Sequence, residues 1–193
     1  MLQAFQDALQ STALITWVRE SPSVLVYPSV LAAHAFGMAF LVGLTVVIAL
    51  RTLGFAPDLP MAPLNKFFPL IWLGFWVNAV SGVILFSLTP ADFLTNGDFY
   101  IKMFGVLCAV VTARSLRQSL FGEPASVDKK PVTMKSKKLA VTLLIFWAIA
   151  IVGGRLTAYH LYIRLETVVA LFIVTALFFA AYGIGRRMGL GTS

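Results

Sequence analysis

Charge is scarce in this chain. Of its 193 residues only 12% are Asp, Glu, Lys or Arg, while 59% are hydrophobic. A soluble domain carries about 25% charged and about 45–50% apolar residues, so the composition excludes that class. Cysteine occurs once, as Cys108 in an apolar stretch, which rules out a disulfide framework within the chain. The first twenty residues lack the basic start, apolar core and small-residue cleavage site of a signal peptide. The mature protein is therefore expected to begin at Met1. Neither end carries a lipidation motif.

Catalytic signatures are missing too. There is no HExxH, no carboxylate dyad within the apolar segments and no nucleophile–base pair, so an independent enzyme is the least favoured reading. No repeat relates the apolar segments, which disfavours an inverted-repeat transporter. The glycines of GIGRRMGLG (183–191) follow no strand, so neither a P-loop nor a Rossmann phosphate site is read there.

What the chain does have is apolar runs of about twenty residues, broken by glycine rather than by charge, long enough to cross a bilayer as helices. The basic pI of 9.9 then says nothing about nucleic acid. The expected fold is an all-α membrane protein, five transmembrane helices preceded by an N-terminal amphipathic interfacial helix. Residues 1–20 form that interfacial helix, with Leu2, Phe5, Leu9 and Ala13 on its apolar face and Trp17 and Arg19 at headgroup depth. The five-span domain covers 21–188, with spans at about 24–50, 67–88, 99–120, 139–158 and 165–185. Ser21-Pro22 is expected to open the first span and Thr89-Pro90 to end the second.

Cations set the orientation. Eleven of the fifteen Lys and Arg, among them Arg51, Lys66, Arg114, Arg117 and the five lysines up to Lys138, fall on one side. Arg19, Lys102, Arg155 and Arg164 fall on the other. The positive-inside rule puts the basic loop 113–138 and the C-terminus in the cytoplasm, with the N-terminus outside. That loop reads as a solvated topogenic segment or as a docking site for an acidic partner or anionic lipid.

Polar groups inside spans are costly and are candidate functional groups for that reason. They are His34, Thr45, Asn78, Ser81, Lys102 and Arg155, with His160 and Arg164 at the outer edge. His34 lies near the membrane middle on the outer side, with Met38 one turn along the same face. A neutral imidazole there suits haem iron or copper, or else bonds a neighbouring helix through Asn78 or Ser81. Gly74, Asn78 and Gly82 recur every four residues, a stripe for close helix packing in which the Asn78 amide could set the imidazole tautomer. Lys102 and Arg155 should share one outer level, where they could clamp a haem propionate or lipid phosphate, or simply snorkel. His34 and His160 are the only two histidines that could sandwich a haem, at an offset along the membrane of roughly 10 Å, and His34 with Met38 or water as its partner is equally compatible.

At these residues the chain resembles a family of small bacterial inner-membrane proteins defined as a domain of unknown function. The stretches that carry the resemblance are YPSVLAAHAFGMAFLVGL (27–44), ALRTLGFAPDLPMAPL (49–64), FPLIWLGFWVNAVSGVILF (68–86), FYIKMFGV (99–106) and GGRLTAYH (153–160). The resemblance implies that His34, Lys102 and Arg155 occupy family motif positions and that His160 falls where relatives often carry another polar residue. A looser likeness links the first span to copper-resistance membrane proteins and to b-type cytochrome membrane subunits. Three functions are therefore expected to compete. One is a b-haem or redox-associated subunit using His34, His160, Lys102, Arg155 and Asn78. The others are a copper-handling protein using His34 and Met38, and a structural accessory subunit of a larger membrane complex.

Overall fold

The computed structural model describes residues 2–122 and 131–156, with Val169 and Ile173 as single helical residues. Apart from Val169 and Ile173 the expected fifth span lies outside the described residues, as do His160 and Arg164. Within them the elements are α1 (Leu2–Gln10), α2 (Ala13–Glu20), α3 (Val26–Leu53), a 3₁₀ turn (Ala62–Phe67), α4 (Phe68–Leu88), α5 (Pro90–Leu94), α6 (Gly97–Phe121) and α7 (Met134–Leu156). Four helices, Val26–Leu53, Ala62–Leu88 (the 3₁₀ turn with α4), Gly97–Phe121 and Met134–Leu156, are long and apolar enough to cross a membrane. No strand occurs among the described residues.

The helix ends differ from expectation for identifiable reasons. The first span opens at Val26, with Pro28 rather than Pro22 in its first turn, where a missing N–H is harmless. Ser21 and Ser23 hold the preceding chain out of helix, each side chain accepting from the backbone N–H two residues on. Residues 1–20 are two helices and not one. Ser11 and Thr12 turn their hydroxyls back to the carbonyls of Ala8 and Leu9, which breaks the helix between them. Ile15 and Val18 are the residues buried there, while Phe5 and Ala13 stay exposed.

The flanks of the expected loop 113–138 are helical, since α6 continues to Phe121 and α7 starts at Met134. Backbone hydrogen bonding does not stop where apolarity stops, so Arg114, Arg117, Lys135, Lys137 and Lys138 decorate helix ends. Thr133 caps α7 by accepting from Ser136 N–H at 3.2 Å. At the far end of α3, Gly54 takes the left-handed conformation (φ 104°). Arg51 then anchors the following loop, donating to the carbonyls of Leu59 (2.6 Å) and Pro57 (2.8 Å).

The spans form two hairpins. α3 packs on α4 and α6 on α7, and α3 against α7 joins the pairs. The join is polar as well as apolar: Trp147 Nε1 donates to Thr45 Oγ1 at 2.9 Å, both residues buried. Thr45 was expected among the polar groups of the spans, whereas its partner on α7 carries no sequence signal. The hydroxyls of Thr45, Thr52, Ser81, Ser87, Thr112 and Ser115 each donate to the carbonyl four residues earlier. In an apolar environment this leaves no hydroxyl proton seeking a partner. One end of the bundle thus carries α1, α2, α5 and His34, and the other carries Arg51, Lys66, Arg114, Arg117 and the lysines of α7.

Candidate functional site

α3 and α4 cross where both helices lack side chains. A Cβ at Gly37 would stand 2.6 Å from the Asn78 backbone nitrogen, and one at Gly74 would stand 2.9 Å from the Gly37 carbonyl oxygen. Such backbone-to-backbone approach is what a small-residue stripe permits in a membrane. The expected Gly74–Asn78–Gly82 stripe is this contact. Its third member meets the histidine, since a Cβ at Gly82 would lie 3.1 Å from His34 Cε1.

The close crossing brings His34 and Asn78 into a reciprocal clasp. His34 Nδ1 lies 3.0 Å from the Asn78 carbonyl and 3.1 Å from Ser81 Oγ. In return the Asn78 side-chain amide donates to the His34 carbonyl at 2.8 Å. The tautomer follows from the network. A carbonyl can only accept, and Ser81 already spends its own proton on the Val77 carbonyl at 2.6 Å. Nδ1 therefore carries the hydrogen and Nε2 the lone pair. The Asn78 backbone, and not its amide as expected, sets the imidazole. Among the described residues Nε2 has no hydrogen-bond partner.

The second hairpin supplies the cations. Gly153 faces the α6 backbone, where an added Cβ would come within 3.2 Å of Lys102 N and 3.3 Å of the Asp98 carbonyl oxygen. Gly154 lies under the Lys102 stem, 3.3 Å from Cδ by the same measure. The Gly-Gly pair thus lets α6 and its lysine close on α7, and it places Arg155 and Lys102 at one level. Lys102 is half-buried, whereas Arg155 is exposed. Asp98, one turn before Lys102, was not a sequence candidate, yet its Oδ2 is screened from solvent. Its spacing of four residues ahead of a lysine in a first helical turn was the available signal.

All four spanning helices therefore contribute to one end: His34 from α3, Asn78 and Ser81 from α4, Lys102 from α6, and the diglycine from α7. Met38 is half-buried one turn from His34 on the same helix. Among the described residues no three His, Cys, Asp or Glu side chains gather as a metal site.

The Gly82 contact can be tested directly. Gly82→Val is expected to push the imidazole off Asn78 and Ser81, moving its ¹⁵N resonances while the second histidine stays as reference. Unchanged His34 resonances in that variant would mean the ring does not rest on Gly82.

Comparison of the chain with family models, curated proteins and solved structures gives no match.

Proposed function

We propose that the chain is a multi-pass subunit of the bacterial inner membrane whose outer-half polar centre holds a b haem through His34. The observation that supports this reading is the committed Nδ1–H of His34, which leaves Nε2 as a free, oriented donor. Iron-ligating histidines are held in the same way by a carbonyl on the other ring nitrogen. Lys102 and Arg155, at one level, are the partners for propionate carboxylates, and Asn78 orients the imidazole through its backbone. Haem bound there would supply one-electron transfer; the protein's part is to fix the ligand, neutralise the propionates and exclude water. Met38, on the same helix as His34, would hold a copper ion together with that histidine. His160 is the other histidine that would hold the haem, with Met38 or water as the alternative partner. The proposal includes a fifth span over 165–185, an interfacial α1–α2 segment, a periplasmic N-terminus and the membership of the small inner-membrane family that the motifs resemble.

A second reading has its own observation. The reciprocal clasp at the Gly37–Gly74 crossing fully employs His34 and Asn78 as an interhelical pin, as a structural accessory subunit would need. Absorption spectra and metal analysis of the purified full chain separate the two. A Soret band with iron, lost in His34→Ala and weakened in Lys102→Gln, is the expected result. Neither iron nor copper in the wild-type protein would overturn the cofactor reading in favour of the subunit. Copper without iron would overturn haem in favour of the His34–Met38 pair.

A further inference from the structure

At the opposite end from His34, α4 and α6 face one another across a groove of about 420 Å³. That volume falls in the ~300–1,000 Å³ range of small-molecule sites. Its walls are apolar, with Phe68, Trp72 and Phe75 from α4 and Val110 and Ala113 from α6. Two arginines of α6 stand at its mouth. The Arg114 guanidinium lies 4.7 Å over the Trp72 ring and that of Arg117 lies 4.7 Å over Phe68. Stacking uses the face of each guanidinium and leaves its N–H edge for an acceptor. Arg117 spends one N–H on Asn65 Oδ1 at 3.3 Å, and Arg114 makes no hydrogen bond among the described residues.

Among the described residues neither charge is neutralised by an acidic side chain. None of the described residues lining the groove is acidic, and the ion pair found among the described residues, Arg19–Glu20, belongs to the other end. Arginine cannot shed its proton, so two fixed cations here call for an anion. The apolar wall says which kind. Val110 lies two turns from Arg117 toward the bundle centre, roughly 10 Å along the helix. The groove therefore joins a cationic mouth at the membrane boundary to an apolar channel running inward.

We propose that this groove binds an anionic phospholipid, its phosphate between Arg114 and Arg117 and an acyl chain along Phe68, Trp72, Phe75 and Val110. Guanidinium pairs bind phosphate through parallel N–H bonds, and basic pockets between spans are suited to anionic headgroups. A free phosphate ion would use the mouth and leave the channel without purpose.

The test uses the full chain in neutral detergent. Native mass spectrometry counts retained lipid, and thermal unfolding is followed with added phosphatidylglycerol, phosphatidylcholine or inorganic phosphate. Phosphatidylglycerol is expected to be retained at least ten-fold more than phosphatidylcholine and to raise the unfolding temperature, with phosphate inert. R114Q/R117Q should lose that preference, while Lys135→Gln with Lys137→Gln, which removes equal charge nearby, should keep it. R114K/R117K retains the charge needed for insertion and should keep part of the preference. Equal retention of both lipids by the wild-type protein, equal stabilisation by phosphate, or undiminished preference in R114Q/R117Q would each overturn the proposal.

Discussion

A Gly37→Leu protein is expected to lose the α3–α4 crossing, at a cost on the order of 3 kcal/mol, the upper end of typical overpacking penalties. The reason is that the obstacle is backbone. A Cβ there would sit 2.6 Å from Asn78 N and 2.8 Å from the Gly74 carbonyl oxygen, and neither can rotate away. Separating the helices also pulls apart the His34–Asn78 clasp, so hydrogen bonds are lost with the packing. Gly43 on the same helix is the control, because nothing lies within 4 Å of a Cβ added there. Denaturation in mixed micelles should therefore show Gly43→Leu near wild type and Gly37→Leu strongly destabilised. Equal stability of the two variants would show that α3 and α4 do not meet at Gly37.

Trp147→Ala is the second large effect, and it acts on a different seam. Trp147 is 3% exposed and lies between α7 and α3, the contact that joins the two hairpins. Truncation leaves a cavity and removes the N–H that Thr45 Oγ1 accepts, with an expected loss of about 3 kcal/mol. Trp147→Phe keeps most of the packing and removes the Nε1–Thr45 bond alone. Interhelical hydrogen bonds in membranes contribute about 0.6–1.7 kcal/mol, so this milder variant isolates the bond. A Thr45→Val, Trp147→Phe double-mutant cycle measures the coupling. Additive losses would show that the two residues do not interact, and a Trp147→Ala protein as stable as Trp147→Phe would show that the seam is not held by packing.

The spans were legible because the bilayer demands one property, apolar length, that a sequence displays openly. Four helices fall where hydropathy places them, with ends displaced by a few residues. The displacements come from groups that hydropathy ignores, such as the Ser21 and Ser23 hydroxyls ahead of α3 and the lysines carried within α7. At the site, the glycine stripe on α4 and the meeting of His34 with Asn78 and Ser81 could be read from spacing. The direction of the bonds could not, because which carbonyl faces the imidazole depends on how closely the helices approach. The Trp147–Thr45 bond and the Arg114–Trp72 stacking were invisible for the same reason. Each pairs residues on helices whose neighbour relations no local pattern encodes.

The self-bonded hydroxyls also bear on how the protein is made. A serine or threonine that donates to its own helix carries its partner into the bilayer with it, so Thr52, Ser87 and Thr112 oppose insertion little. His34 and Asn78 have no such provision, for their partners lie on another helix. Both belong to consecutive spans joined by one short connection, and each satisfies the other only when α3 and α4 are side by side. The first hairpin is thereby favoured to leave the insertion machinery as a pair, with its polar clasp closed before lipid surrounds it. Trp147 then docks the second hairpin onto a helix whose own hydroxyl is already turned to receive it.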